Sequence, residues 1–216
     1  MTTIAEQVKD VRADLATRLP AEVAAAFASD QAALAERGRP DGAVSVGDQL
    51  PPFALADATG RVRTLDELSA DGPLVIVFYR GGWCPYCNVT LRTYQRDLLP
   101  RLGEYSARLV AISPETPDAS LTTQEKADLS FTVLSDPGAE LASALGITFA
   151  PSEEGLAAQR TLGLDIRATR ADGATVLPMP TVLVVDPDHT VRFADVHADY
   201  TGRTEVEDIL AALRAL

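Results

Sequence analysis

The sequence predicts an α/β fold: a mixed β-sheet flanked by helices, with an N-terminal helical extension. Three observations lead there. Strand-like and helix-like segments alternate from about residue 43 to residue 216, the pattern of a layered α/β domain. The run Leu74-Val75-Ile76-Val77-Phe78-Tyr79 is apolar throughout and rich in β-branched and aromatic residues, as a central strand buried on both faces requires. The chain then closes on two strand-like runs around a turn and an amphipathic helix.

Taken in order, residues 1–42 form the helical extension. Val8, Val11, Leu15 and Leu19 recur at spacings of three and four. Pro20 interrupts, and Val23, Phe27, Ala28 and Leu34 suggest a second helix ended by Gly38 and Pro40. The domain proper spans 43–216. Phe53-Ala54-Leu55 and Arg61-Val62-Arg63 flank the turn Asp57-Ala58-Thr59-Gly60 as a hairpin, and a short helix follows at Leu65 to Leu68. After the central strand, Gly81-Gly82 breaks the run. A helix starts near Cys84 with Leu91, Tyr94, Leu98 and Leu102 on one face, and Pro100 should kink or end it. Arg108 to Ser113 is a strand, a helix lies near Thr122 to Leu129, and Phe131 to Leu134 is a strand. Gly138 to Leu145 is a short helix, and Ile147 to Phe149 a short strand. Residues 151–173 are the least legible, with a helix around Glu154 to Leu162. Thr181 to Asp186 and Thr190 to Val196 pair around Pro187-Asp188-His189, and Thr204 to Leu216 is the closing helix.

Composition narrows the function. With 19 Lys+Arg against 31 Asp+Glu, the net charge is −12, which leaves no basic stripe to meet nucleic-acid phosphates. The N-terminus has no apolar run fit for a signal peptide, and Leu74 to Tyr79 is too short to span a bilayer. The expectation is a cytoplasmic protein with no membrane partner.

The chain has 2 Cys, both in Cys84-Pro85-Tyr86-Cys87 at the junction of the buried strand and the next helix. A helix N-terminus has free N–H groups and a positive potential, so a thiolate at Cys84 should have a lowered pKa and be the more exposed sulfur. Pro85 fits the first helical turn. Cys87 lies one turn on, placed to attack a bond formed at Cys84. Half a zinc site is a weaker reading, because the other soft ligands, His189 and His197, miss the usual finger spacing. Inert buried thiols or a structural disulfide are also weaker, since a loop this small stabilises little. No metal and no cofactor is expected.

The segment Phe78-Tyr79-Arg80-Gly81-Gly82-Trp83-Cys84-Pro85-Tyr86-Cys87 resembles the active-site segment of the thioredoxin superfamily. It is more closely similar to peroxiredoxin-like proteins of the alkyl hydroperoxide reductase/thiol-specific antioxidant family. The resemblance runs from about Val46 to Leu216. It includes Gly47-Asp48-Gln49-Leu50-Pro51-Pro52-Phe53, Val110-Ala111-Ile112-Ser113-Pro114-Glu115, Phe131 to Pro137, and Pro180 to Asp186. It implies a thioredoxin-like mixed sheet and a thiol-dependent peroxidase. The expected partners are a hydroperoxide and a thioredoxin- or glutaredoxin-type reductant, and a homodimer by analogy. Two registers compete. The peroxiredoxin pattern puts the peroxidatic cysteine at Cys87, with Cys84 in place of its threonine and Arg80 in place of its proline. The thioredoxin pattern makes Cys84 the nucleophile and Cys87 the resolver. The family's later arginine would fall near Pro180 and is missing there. Met179-Pro180-Thr181 instead resembles the cis-proline segment of thioredoxins.

Supporting residues follow from placement. An antiparallel final hairpin brings Asp199 to Arg203 beside Pro180, so Arg203 could supply the missing cation; its plainer role is a surface arginine beside a capping box of Thr204 and Glu207. Arg80 could support Cys84 electrostatically or be a solvated loop charge. Trp83 should shield the dithiol and offer a contact platform. Ser113 and Glu115 follow a strand end and could line the same mouth; Glu115 could relay protons there, but is more readily a solvated carboxylate. His189 should lie in a surface turn and His197 should be a satisfied histidine. The reading is a Cys84/Cys87 peroxidase. Its alternatives are a disulfide oxidoreductase without peroxidase activity and a redox-sensing or binding module.

Overall fold

The computed structural model describes residues 2–170 and 173–216. Two helices come first, α1 (Ile4–Arg18) and α2 (Ala21–Arg37). Helix α1 opens on a capping box: the Glu6 N–H donates to Thr3 Oγ1 at 3.1 Å and the Thr3 N–H to Glu6 Oε2 at 2.8 Å. Pro20 separates the helices, and α2 ends at Gly38 with φ +66°. Both pack on the domain. Ile4, Val8 and Leu34 join the same buried cluster as the core of the sheet's cysteine-bearing face.

The hairpin strands are β1 (Ala54–Asp57) and β2 (Val62–Thr64), followed by α3 (Leu65–Ser69). Asp57 Oδ1 accepts the N–H groups of Thr59 and Arg61 and closes the turn between them. The central strand is β3 (Leu74–Phe78), buried along its whole length. Then come α4 (Pro85–Thr93), β4 (Arg108–Ser113), α5 (Pro117–Ala127), β5 (Thr132–Ser135), α6 (Glu140–Ala144), β6 (Thr148–Phe149) and α7 (Glu153–Thr161). The last elements are β7 (Leu177–Pro178), β8 (Thr181–Val185), β9 (Val191–Val196) and α8 (Val206–Arg214).

These strands form a seven-stranded mixed sheet in the order β2-β1-β5-β4-β3-β8-β9, with β6 and β7 as a separate pair. Strand β3 runs parallel to β4, with Phe78 opposite Ile112, and antiparallel to β8, with Phe78 opposite Thr181. Alternation sends Val75 and Val77 toward the face that carries α4, and Leu74, Ile76 and Phe78 into a second core on the other face. Helix α1 packs on α4 and α2 on α7, and none of the described helices is long and apolar enough to cross a membrane.

Several expectations need correction. Helix α5 starts at Pro117, not near Thr122, because Thr116 is extended and Pro117 suits the first turn. The helix after Cys84 does change form by Pro100, as expected, though the change begins earlier: it loosens into a π turn over Tyr94–Leu98 and tightens into a 3₁₀ segment, Leu99–Tyr105, that holds Pro100 in its first turn. The closing helix has Glu205, not Thr204, at its N-cap, and no capping box. The Thr204 hydroxyl donates instead to Asp195 Oδ2 at 2.9 Å. The described residues contain no cis peptide bond, so Met179–Pro180 is trans. The chain runs extended from β7 into β8, with the Met179 N–H on Ile147 O at 2.7 Å and Pro180 O accepting from the His197 N–H at 3.0 Å.

Candidate active site

The parallel pairing of β3 and β4 sets their carboxyl ends side by side, where ligands reach an open α/β sheet. Past the end of β3, Tyr79-Arg80-Gly81-Gly82-Trp83 turns the chain into α4. Gly81 has φ +149°, and a Cβ there would stand 2.4 Å from Trp83 Nε1, so the indole lies against bare backbone. The Cys84 N–H donates to Gly81 O at 3.1 Å, and Cys84 is the N-cap of α4 with Pro85 in the first turn. From the end of β4, Glu115 Oε2 accepts the Gly82 N–H at 2.8 Å and ties the two strand ends together.

Both sulfurs are buried: Cys84 is 0% exposed and Cys87 1%. The expected exposure of Cys84 is therefore wrong. The loop carries Arg80 against the thiol, and a thiol at a helix start is open to solvent only when nothing packs across that end. Arg80 Nη1 donates to Cys84 Sγ at 3.9 Å. This guanidinium is itself buried, stacked 4.1 Å from the Tyr200 ring, 4.9 Å from Trp83 and 5.7 Å from Phe149, so Arg80 is no solvated loop charge. Arg203 Nη2 donates to Cys87 Sγ at 3.5 Å, while its Nη1 is held by the carbonyls of Tyr200, at 2.6 Å, and Gly202. Each sulfur thus has its own guanidinium.

Burial alone would raise the Cys84 thiol. A hydrogen bond from Cys87 and the charges of Arg80 and Arg203 outweigh it, and hold Cys84 well below the usual thiol range. Cys87 goes the other way: burial, the hydrogen bond it gives to Cys84 and the negative charge there all raise it. The two shifts run in opposite directions, so the negative charge is favoured on Cys84 over Cys87. Glu115, expected to be a solvated carboxylate, is buried, and burial raises its pKa. The Gly82 N–H opposes that rise and the Cys84 charge adds to it.

The other sequence-stated residues divide. Pro180 lines a cavity of about 10 Å³, close to the size of one water molecule, with Cys87, Tyr94, His197 and Arg203. Met179 is buried but does not line it. His197 is satisfied by Asp195 Oδ2 at 3.1 Å, and His189 sits in a turn against Ser69 Oγ at 3.0 Å. Sequence reasoning missed Tyr200 and Phe149, whose stacked rings, 6.3 Å apart, face Arg80. Tyr200 sat within the segment singled out for Arg203; nothing local marked Phe149.

Residues 46–194 match the model of the AhpC/TSA family. The chain belongs to that family. Its structure is similar to that of peroxidoxin BcpB from Mycobacterium tuberculosis, with a TM-score of 0.61 and 25% identity over 80% of this chain and 98% of the other. It also superimposes on a peroxiredoxin-like protein from Aquifex aeolicus, with a TM-score of 0.62, 14% identity and coverage of 80% and 88%, a likeness of fold alone. The chloroplastic peroxiredoxin Q of Sedum lineare is 30% identical over 104 residues, 48% of this chain and 55% of that protein. The protein is thus a peroxiredoxin-like oxidoreductase of thioredoxin-like fold. Helices α1 and α2 precede the family match.

Proposed function

We propose that the protein reduces hydroperoxides through a dithiol–disulfide cycle of Cys84 and Cys87. The observation that carries this reading is the buried thiol pair with a guanidinium on each sulfur. The Cys84 thiolate attacks the outer oxygen of ROOH; the O–O bond breaks, Cys84 becomes a sulfenic acid and RO⁻ leaves, taking a proton to give ROH. The Cys87 thiol condenses with the sulfenic acid, releasing water and forming the Cys84–Cys87 disulfide. A dithiol donor, of thioredoxin or glutaredoxin type, reduces it by exchange, and the net reaction consumes two donor thiols per peroxide. Arg80 and Arg203 stabilise the thiolate and the charge that develops on the departing oxygen. Such a cycle needs a reducing compartment, and the cytoplasm supplies one.

Burial of both sulfurs supports this reading over a disulfide oxidoreductase. A slim peroxide group reaches an enclosed sulfur more readily than a protein disulfide, which needs a third sulfur in line with the bond it breaks. Donor exchange then requires the first turn of α4 to open once the disulfide has formed.

The test is to treat reduced wild type, Cys84→Ser and Cys87→Ser with hydrogen peroxide and an organic hydroperoxide, trap with a sulfenic-acid reagent and read intact mass. Expected are an intramolecular disulfide in wild type, a trapped sulfenic acid in Cys87→Ser and none in Cys84→Ser. A sulfenic acid only in Cys84→Ser would reverse the two roles. None in either variant, with rapid reduction of a model disulfide by wild type, would replace the peroxidase with a disulfide oxidoreductase.

A further inference from the structure

The carboxyl ends of β3, β4 and β5 hold a polar cluster that attack on the peroxide does not use. Tyr79 follows Val75 and Val77 in alternation, so its side chain lies on the face that carries α4. Ser113 and Ser135 sit opposite each other at the ends of β4 and β5. Ser120 of α5 packs onto them, its Oγ 3.0 Å from Ser135 Oγ. Glu115 closes the cluster from the loop after β4, with its own N–H on Ser113 Oγ at 3.4 Å. Every one of these residues is buried. Two of them stand out. The Glu115 carboxyl is held by the Gly82 N–H at 2.8 Å and the Thr123 hydroxyl, and among the described residues no cation pairs with it. The Tyr79 hydroxyl is buried with no hydrogen-bond partner. An unpaired buried hydroxyl costs stability where it stands, so its use is sought in the chemistry beside it.

Tyr79 links that carboxyl to the dithiol. Tyr79 and Cys87 line one cavity of about 10 Å³, the space of a single water, and the charges of Glu115 and Cys87 both act on the phenol. We propose that Glu115, working through the Tyr79 hydroxyl, takes the proton from Cys87 as Cys87 closes on the Cys84 sulfenic acid. The inference rests on the peroxidase reading and assigns the proton transfer of its resolving step. The Cys87 S–H proton passes to the phenol oxygen while the phenol proton passes to the Glu115 carboxylate. The Cys87 sulfur bonds to the Cys84 sulfur, the S–O bond breaks, and the departing hydroxide takes the proton from Glu115 and leaves as water. Cys87 is oxidised, the sulfenic sulfur is reduced, and Glu115 and Tyr79 end as they began. Burial keeps the proton on the phenol, so Tyr79 gives one proton as it takes another. The timing is built in. Burial raises Glu115 and Cys87, and the Cys84 charge adds to both. Once Cys84 carries oxygen that charge is gone, so Glu115 ionises and Cys87 releases its proton more readily at the moment the step needs both.

Two rates separate the steps at neutral pH. Loss of thiolate absorbance reports attack on hydrogen peroxide. Acid quench, alkylation of free thiols and intact mass report disulfide formation. Tyr79→Phe keeps the buried ring and removes an oxygen that holds nothing in place, so the variant should fold. Glu115→Gln keeps an acceptor for the Gly82 N–H. Each change should lower the ratio of the disulfide rate to the attack rate about tenfold or more. The double variant should lower it no further than either one, as members of a single relay do. Sulfenic acid should then be trapped with both cysteines in place, and excess peroxide should carry more Cys84 on to sulfinic acid than in wild type. A ratio that neither variant changes overturns the inference while the peroxidase stands. So does an equal fall in both rates, which would make the cluster structural, and so does a fall in the attack rate alone, which would place the relay on the peroxide step. A wild type that forms neither sulfenic acid nor disulfide with hydrogen peroxide overturns the reading beneath it.

Discussion

The thiolate is set by a balance among four groups, and each can be moved separately. Glu115 and Cys84 repel, since the Cys84 charge raises the Glu115 pKa and the coupling is mutual. Glu115→Gln keeps an oxygen for the Gly82 N–H and removes the charge. The Cys84 titration, followed by thiolate absorbance, is then expected to move to lower pH. A depressed thiol loses activity as pH falls through its folded pKa, so the acid limb of the peroxide rate should shift the same way. Arg203→Met removes a charge that lowers both thiols and should move that limb upward. It should also slow peroxide reduction at neutral pH by about tenfold or more. An acid limb unmoved by both changes would mean that the pair's electrostatics do not govern the rate. At this scale the sequence named Cys84, Cys87, Arg80 and Arg203. It could not show that Arg80 is buried among three rings, because Phe149 and Tyr200 lie 69 and 120 residues away in sequence (149 − 80 and 200 − 80).

Among the elements, the turn into α4 tolerates little. A Cβ on Gly82 would stand 1.9 Å from Thr123 Oγ1 and 3.0 Å from its Cβ, on α5. Thr123 is buried and β-branched, so it yields only if the helix shifts. Gly82→Ala is expected to cost about 1–3 kcal/mol, read as a fall in melting temperature of roughly 2–4 °C per kcal/mol. An unchanged melt would mean that α5 moves freely against the loop. Helix starts show the same division between local and distant causes. The Thr3–Glu6 capping box is written in four consecutive residues. Yet the Ile4 and Ala5 N–H groups of that same start donate to the Glu205 carboxylate at 2.9 and 2.8 Å, from the N-cap of α8. That link spends Glu205 on α1, and Glu207 pairs outward with Arg101 and Arg214 rather than completing a box with Thr204.

Across the whole molecule, helices α1 and α2 are part of the core they cover. Ile4 is 0% exposed and Leu34 3%, and Tyr200, which stacks on Arg80, receives a hydrogen bond from Gln31 Nε2 at 3.2 Å and donates to Phe27 O at 3.3 Å. Deleting 1–42 is expected to lower the melting temperature and broaden the transition, since losing even one buried large aliphatic side chain costs about 2–5 kcal/mol. A truncated chain that melts as wild type would show the helices to be an independent appendage.

The sequence by itself determined the local facts: strand and helix periodicity, the glycine break, the dithiol at a helix start, and the ordered segments that resemble a family. Those are fixed by residues within a few positions of one another. Tertiary structure alone decided that both sulfurs are buried and that each has its own guanidinium. It alone decided that Met179–Pro180 is trans, and that the N-terminal helices wall a cavity beside Cys84. Burial and charge pairing depend on which distant segments the sheet order brings together, and no local spacing encodes that.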